Sequence, residues 1–541
     1  MKIQNIAITL ILLQTISLIA QKDKNLPTDQ VNVVKSFETR LADFEKLSTK
    51  PTLPPLDTVN TKQNMKYSIQ EKVINIDYDA PKLRPISMKA DPLPPAYDGY
   101  LKAGYGSLSS PYFDAGYIFN SDKTLEIGGK VHYESAKSTK ITNQKYSKFG
   151  INLDGTYLME NNIGLSAKMG YAGNGYSFYG YDHEKYNFTS DSIKQQFNAF
   201  DIGAKIFSVK KTDSDFSFNG GLDLGIYNDR FDSKETALGF NATGTKWFAD
   251  KHPLNITVKT QRVGFSDTTD QTISNIWLQP NFEYHHDIFN IHVGVNMLST
   301  ASKFKVFPDF KAALNLADNV FTVFAGWQGD AQINSFRTLS TYCPYVLSSM
   351  KINNAFYNEF YGGIKGSVNI LDYQAQAGFK KVENQALFVS DTNPLRFNRL
   401  RVIYDTVSIT YVKGNLVLRP IANLEISGSL IFNVFSPKHE TAAWHLPALD
   451  GNFGAKYGLL DGQVKLKGNA YFQSGPNALT KTGATERLGS LFDLSVGAEY
   501  WPLKNVGIYV DANNLLNNKR QRWLGYDQFG ININGGIVAR F

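Results

Sequence analysis

Cysteine is all but absent from this chain: Cys343 is the only one in 541 residues. That excludes an internal disulfide and any CxxC metal or redox site, and it leaves no cysteine near the N-terminus to carry a lipid. Cys343 itself, in "TLSTYCPYVL", has no histidine close in sequence and reads as a packed thiol. Long apolar runs are missing too. Beyond Ala20 no window is long and apolar enough to cross a bilayer as a helix. Runs of like charge are missing as well. The net charge is +7, but the lysines and arginines recur singly on alternating faces, so no nucleic-acid footprint forms.

Signatures of chemistry are equally scarce. "GYAGNGYSFYG" has glycines but neither the following helix nor the lysine of a phosphate cradle, and its Gly and Tyr suit a tightly curved wall. "YHHD" sets His285 beside His286, which a strand would send to opposite faces, so it reads as a hairpin turn rather than a metal site. His132 shares a polar strand face with Glu126 and Lys130, the makings of a base, yet the nearest serine, Ser135, has the opposite parity. His132 therefore reads as a wall residue. No enzyme, cofactor or metal is expected.

What the chain does have is alternation. In "LEIGGKVHY", Leu125, Ile127, Gly129, Val131 and Tyr133 oppose Glu126, Gly128, Lys130 and His132. "NLEISGSLIFNV", "QVKLKGNAYF", "LFDLSVGAEYW" and "NVGIYVDANN" repeat the pattern. Side chains in a strand alternate faces with period two, so each segment has an apolar and a polar side. Turn material such as "MENNIG", "KKTDSDF" and "NDRFDS" separates them. From residue 97 to the end we count about 22 such segments, many longer than soluble strands, with "ALFVSD" the ambiguous one. A soluble sandwich would use fewer, shorter strands and show composition shifts at linkers. The pattern predicts an all-β transmembrane antiparallel barrel of about 22 strands over 97–541. Aromatics near segment ends, as in "AEYWPL" and "GYSFYGYD", are expected to form interfacial girdles against membrane lipid.

The polar faces carry both signs: Lys102, Lys130, Lys465 and Lys467 against Glu126, Glu425, Asp493 and Glu499. Such a lumen has no steep ion selectivity and is open to internal salt bridges. The longer connections "YDHEKYNFTSDSI", "SFRTLSTYCPYVLSSMKINNAF" and "FSPKHETAAWHLPALD" are the natural places for ligand or partner contact.

The first residues differ from all of this. "MKIQNIAITLILLQTISLIA" has one lysine before a short apolar stretch and reads as a signal peptide over 1–20, with Leu18 leaving the cleavage point open. Residues 21–96 are interrupted by proline, as in "KPTLPPLDTV" and "DPLPPAYDG". Within them Val34, Phe37, Leu41 and Phe44 fall at helical spacing, a short amphipathic helix able to dock a partner or a barrel mouth. The segment is expected to be periplasmic or lumenal.

The closing stretch "DANNLLNNKRQRWLGYDQFGININGGIVARF" resembles the C-terminal strand pair of TonB-dependent receptors. The matching features are the turn Asn514-Leu515-Leu516-Asn517, the pair Gly525-Tyr526 and a last strand ending in Phe541. With "VNVVKSFETRLADFEKL" and "YLKAGYGSLSSPYFDAGY" the chain is similar to plugless TonB-receptor-like barrels of Bacteroidetes-type bacteria. The resemblance implies an outer-membrane barrel whose last strand, with Phe541, is read by the barrel-assembly machinery. By the usual convention for chain ends, both termini are expected in the periplasm. A receptor of this kind carries a folded plug before the barrel, and 21–96 is short and proline-rich for that role. Two functions stay open: a channel or receptor moving a solute, which we favour, and a non-transporting scaffold within a larger outer-membrane assembly or secretion machine. A pore predicts a clear lumen. A scaffold predicts one filled by 21–96 or by loops.

Overall fold

The computed structural model describes residues 97–541 apart from 122–123, 302, 318–319 and 393–398. The signal-peptide reading and the helix expected at Val34, Phe37, Leu41 and Phe44 lie outside the described residues.

The alternating segments become one sheet of 22 antiparallel strands. It closes when the first strand, Gly99–Gly106, pairs with the last, Asn532–Arg540, in a register that sets Ala103 opposite Ile537. Closure leaves no free edge, so every strand finds its backbone partners within the wall. Strands run from 8 to 22 residues, and the two longest, Leu371–Ser390 and Leu400–Ile421, rise past their neighbours at one end. "ALFVSD" belongs to the first of these long strands, where a bulge between Val382 and Gln385 shifts the register. Among the described residues no helix is long and apolar enough to cross a membrane.

Parity sorts the side chains as the sequence pattern predicts. Leu222, Val293, Val412, Ile508 and Ile537 all stand outward and are more than half exposed, at 51% or above. So broad an apolar surface is foreign to a soluble monomer. The opposite parity carries Lys168, Asp223, Lys102, Asp511 and His132 into the lumen, where they pair with one another or with neighbouring strands.

The two ends differ. The chain enters and leaves at one end, where connections such as 159–162, 249–251, 369–370 and 422–423 are tight turns. At the other end the connections 178–193, 335–352, 438–448, 474–490 and 514–531 are long. One contains the seven-residue helix Phe336–Tyr342. The sequence pattern marks no helix there, because seven residues give barely two turns of periodicity. Ser335 caps it, accepting from the Thr338 backbone while Thr338 returns a bond to the Ser335 backbone.

Candidate functional site

Parts of three of the long connections, 178–193, 335–352 and 514–531, are withdrawn from solvent. They turn inward and meet across the barrel mouth in a core of buried side chains. Phe178, Tyr179 and Tyr181 come from 178–193; Phe336, Leu339, Cys343 and Val346 from 335–352; Trp523 and Tyr526 from 514–531. Lumen-facing residues at the strand tops complete it, notably Phe197, Tyr227, Val263 and Phe265. Here the wall changes its inward pattern from charged to apolar, which gives the loops something to pack against. The stabilisation is hydrophobic and aromatic.

Several contacts fix the closure. Tyr345 stacks on Tyr526 with ring centroids 3.5 Å apart, joining two of the loops. The Tyr179 hydroxyl donates to the Asp527 carbonyl at 2.7 Å, joining the third. Leu347 N–H donates to Leu400 O at 2.7 Å and Leu400 N–H to Tyr345 O at 3.0 Å, so this stretch leans on a strand top. His445, 1% exposed, ties a fourth connection to the core. Its Nδ1 donates to Phe388 O at 2.8 Å, and its Nε2 accepts from Leu524 N–H at 3.2 Å. Those two bonds require the neutral ring, and burial pulls its pKa down to about 4. Burial likewise pushes the Cys343 thiol well above its ordinary range, so the packed-thiol reading holds.

The lower face of this lid is polar. Arg337 points into the lumen and grips Asp201 with both ends of its fork, Nη1 to Oδ1 at 2.6 Å and Nη2 to Oδ2 at 2.7 Å. The Arg337 backbone N–H donates to Glu235 Oε2 at 3.0 Å, at the first turn of the helix. Ser340 Oγ meets the Tyr227 hydroxyl at 2.8 Å. Beneath Arg337 the wall encloses a recess of about 920 Å³ whose polar lining includes Asn152, Asp154, Lys168, Asp223 and Gln261. A second recess, about 900 Å³, opens on the other side of the lid between Tyr181, His183, Thr480, Glu486, Gln521 and Asp527.

The lumen is laced by ion pairs, as its mixed charge suggested, but through partners the sequence did not single out. Asp511 holds Lys102 at 3.2 Å and Lys467 at 2.7 Å. Asp114 holds His132 at 2.8 Å and Lys130 at 3.6 Å. Glu425 meets Arg419 at 3.3 Å and Lys456 at 3.7 Å. His132 is thus a wall residue in a charge ladder. His285 ends a strand and His286 sits in the following turn, as expected for "YHHD".

Two expectations are corrected. Phe178, Tyr179 and Tyr181 of "GYSFYGYD" do not form a girdle, since they enter the lid core. Of "AEYWPL", Tyr500 stands outward but Trp501 is buried under Arg540, whose guanidinium lies 4.4 Å from its ring centre. Of the stretch 335–356 named for ligand or partner contact, residues 335–352 are mostly buried in this core, while Arg337 lines the recess beneath it. Phe541 stands outside on the closing seam, exposed and stacked on Tyr117 at 6.1 Å.

No protein-family model and no curated protein matches this chain. Solved structures do. The ferric-catecholate import receptor Fiu from E. coli K12 aligns with a TM-score of 0.65 at 9% identity, over 82% of each chain. The ferripyoverdine receptor of the outer membrane of Pseudomonas aeruginosa gives 0.60 at 13%, over 82% of this chain and 72% of that one. The copper transporter OprC gives 0.61 at 11%, over 83% and 82%. The chain shares the barrel fold of these receptors and this transporter. At such identities the likeness establishes architecture alone.

Proposed function

We propose that this protein is an outer-membrane β-barrel of the TonB-dependent-receptor type, without a folded plug, that passes or receives a solute. The observation that carries this reading is the two-sided wall. Exposed aliphatic residues cover the outside, and paired charges line the inside of a closed ring of 22 strands. Only lipid outside and water inside make both surfaces favourable. Import receptors and transporters share the architecture, which supports transport over catalysis. In this reading 1–20 is a signal peptide, both termini face the periplasm, and 21–96 is a tether whose helix at Val34, Phe37, Leu41 and Phe44 meets a partner or the lumen. Phe541 serves assembly rather than stability. Phe541→Ala is expected to slow insertion by the assembly machinery while leaving the finished barrel's heat resistance unchanged on gel-mobility assay.

The lid gives the scaffold reading one observation of its own, because a sealed mouth suits a barrel that transports nothing. Planar-bilayer recordings of the full chain, with and without moderate urea at the loop side, separate the two. Urea melts a loop seal before a hydrogen-bonded barrel. Discrete conductance steps in urea support transport. Silence there, together with a stoichiometric partner on gentle purification, supports the scaffold.

A further inference from the structure

We propose that residues 335–352 are a gate, and that Arg337 with Asp201 is the latch that holds it shut. The inference rests on the transport reading and adds to it the element that moves. This connection touches the wall at several strands. Through Arg337, Ser340 and the Arg337 backbone it bonds three successive strands, at Asp201, Tyr227 and Glu235. Through Met350 O and Ile352 N–H it clasps both ends of the Gln271 side-chain amide, at 2.8 and 3.0 Å. It is therefore fastened at both shoulders, around a helix too short to be stable alone.

The fastenings are unequal. Most of the segment is held by aromatic packing in the lid core. Its one charged group on the lumen side is Arg337, and that pair is not buried: the side chains are 36% and 41% exposed, facing the recess below. A forked, charge-assisted pair fixes direction as well as distance. An exposed pair is also reversible, because water can take over its hydrogen bonds when it opens. The geometry combines a stiff apolar plate with a polar catch at its lower edge. Among the described residues, the space directly beneath Arg337 is the recess of about 920 Å³, into which Lys168 and Asp223 also face.

The test is single-channel conductance of the full-length protein in planar bilayers without denaturant. Four forms are compared: unaltered, Asp201→Asn, Arg337→Ala, and the exchange Asp201→Arg with Arg337→Asp. Heat-modifiable gel mobility confirms that each barrel is folded. A fifth form, with 337–350 replaced by a short Gly-Ser bridge, removes the plate outright. The unaltered chain should stay mostly closed, and either single change should raise open probability about two- to fivefold, the range for a lost ion pair that is more than a third exposed. The exchange should restore closure. If the unaltered chain conducts as freely as the bridged form, there is no gate, and transport stands. If urea opens the unaltered chain but the single changes and the bridged form stay closed without it, the gate is elsewhere and transport again stands. Opening of the bridged form alone overturns the latch. Silence of every form, urea included, overturns both the gate and the transport reading.

Discussion

The two ends of this barrel are built on different principles. Toward the end where the first strand begins and the last one finishes, strands are joined by tight turns, and the inward wall below the lid carries ion pairs such as Lys102–Asp511–Lys467. At the other end the inward wall turns apolar, with Phe197, Tyr227, Val263 and Phe265, and long connections fold onto it. One ladder of hydrogen bonds runs through both ends. What differs is the length of the connections and the side chain presented every second residue, and an apolar inward face is what lets long loops pack onto the mouth. Closure is therefore a property of the wall as much as of the loops.

The largest expected effect lies in the seal. Trp523, 4% exposed, packs edge-on to Phe388 at 5.1 Å and to Tyr342 at 5.4 Å. Trp523→Ala should cost the lid about 3–5 kcal/mol, as buried aromatics do. The barrel's own thermal transition should stay where it is, which separates the lid from the wall. If both transitions fall together, the contrast between the ends is false.

Next comes the outer wall. Leu222 stands outward at mid-strand, and Leu222→Arg should destabilise the inserted barrel by about 2–4 kcal/mol. Urea titration in lipid vesicles measures it. An unchanged midpoint would remove the lipid-facing assignment.

A pH effect of similar size belongs to the lid alone. His445 stays neutral in the fold down to about pH 4, while an unfolded histidine takes a proton near its ordinary 6.5. Between those values the unfolded lid binds the extra proton, so stability is full above about 6.5 and declines as the pH drops toward 4. The loss approaches about 3 kcal/mol. Tryptophan fluorescence during urea melts at pH 7 and pH 5 should show the lid transition moving down, and His445→Asn should flatten that dependence. The smallest effect is expected in the lumen. Lys168 and Asp223 pair at 2.7 Å but are 65% and 55% exposed, so Asp223→Asn should change stability by less than about 0.5 kcal/mol.

The wall was legible because alternation is a local property. Ile127 and His132 can be assigned to opposite faces from their parity, and the structure agrees. Their partners were not legible. Asp114 and Asp511 become charge hubs only through cross-strand register, which parity does not specify. The lid was harder still. The aromatics of "GYSFYGYD" look like girdle residues, because nothing local tells Phe178 that the chain turns inward after Ser177. The helix Phe336–Tyr342 is capped by Ser335 and Thr338, without the glutamate that marks a capping box in sequence, and its first-turn acid, Glu235, comes from another strand.

The chain carries its own reporter for the sealed mouth. Cys343 is the only thiol, and it lies fully buried in the seal between Leu339 and Val346. The measurement to make is its reaction with a membrane-impermeant maleimide, in the folded protein in lipid vesicles at neutral pH. A sealed mouth predicts no labelling over hours, then rapid labelling when urea or Trp523→Ala opens the lid. Prompt labelling of the native barrel would mean that the loops do not close the mouth, and would contradict both the lid and the gate built on it.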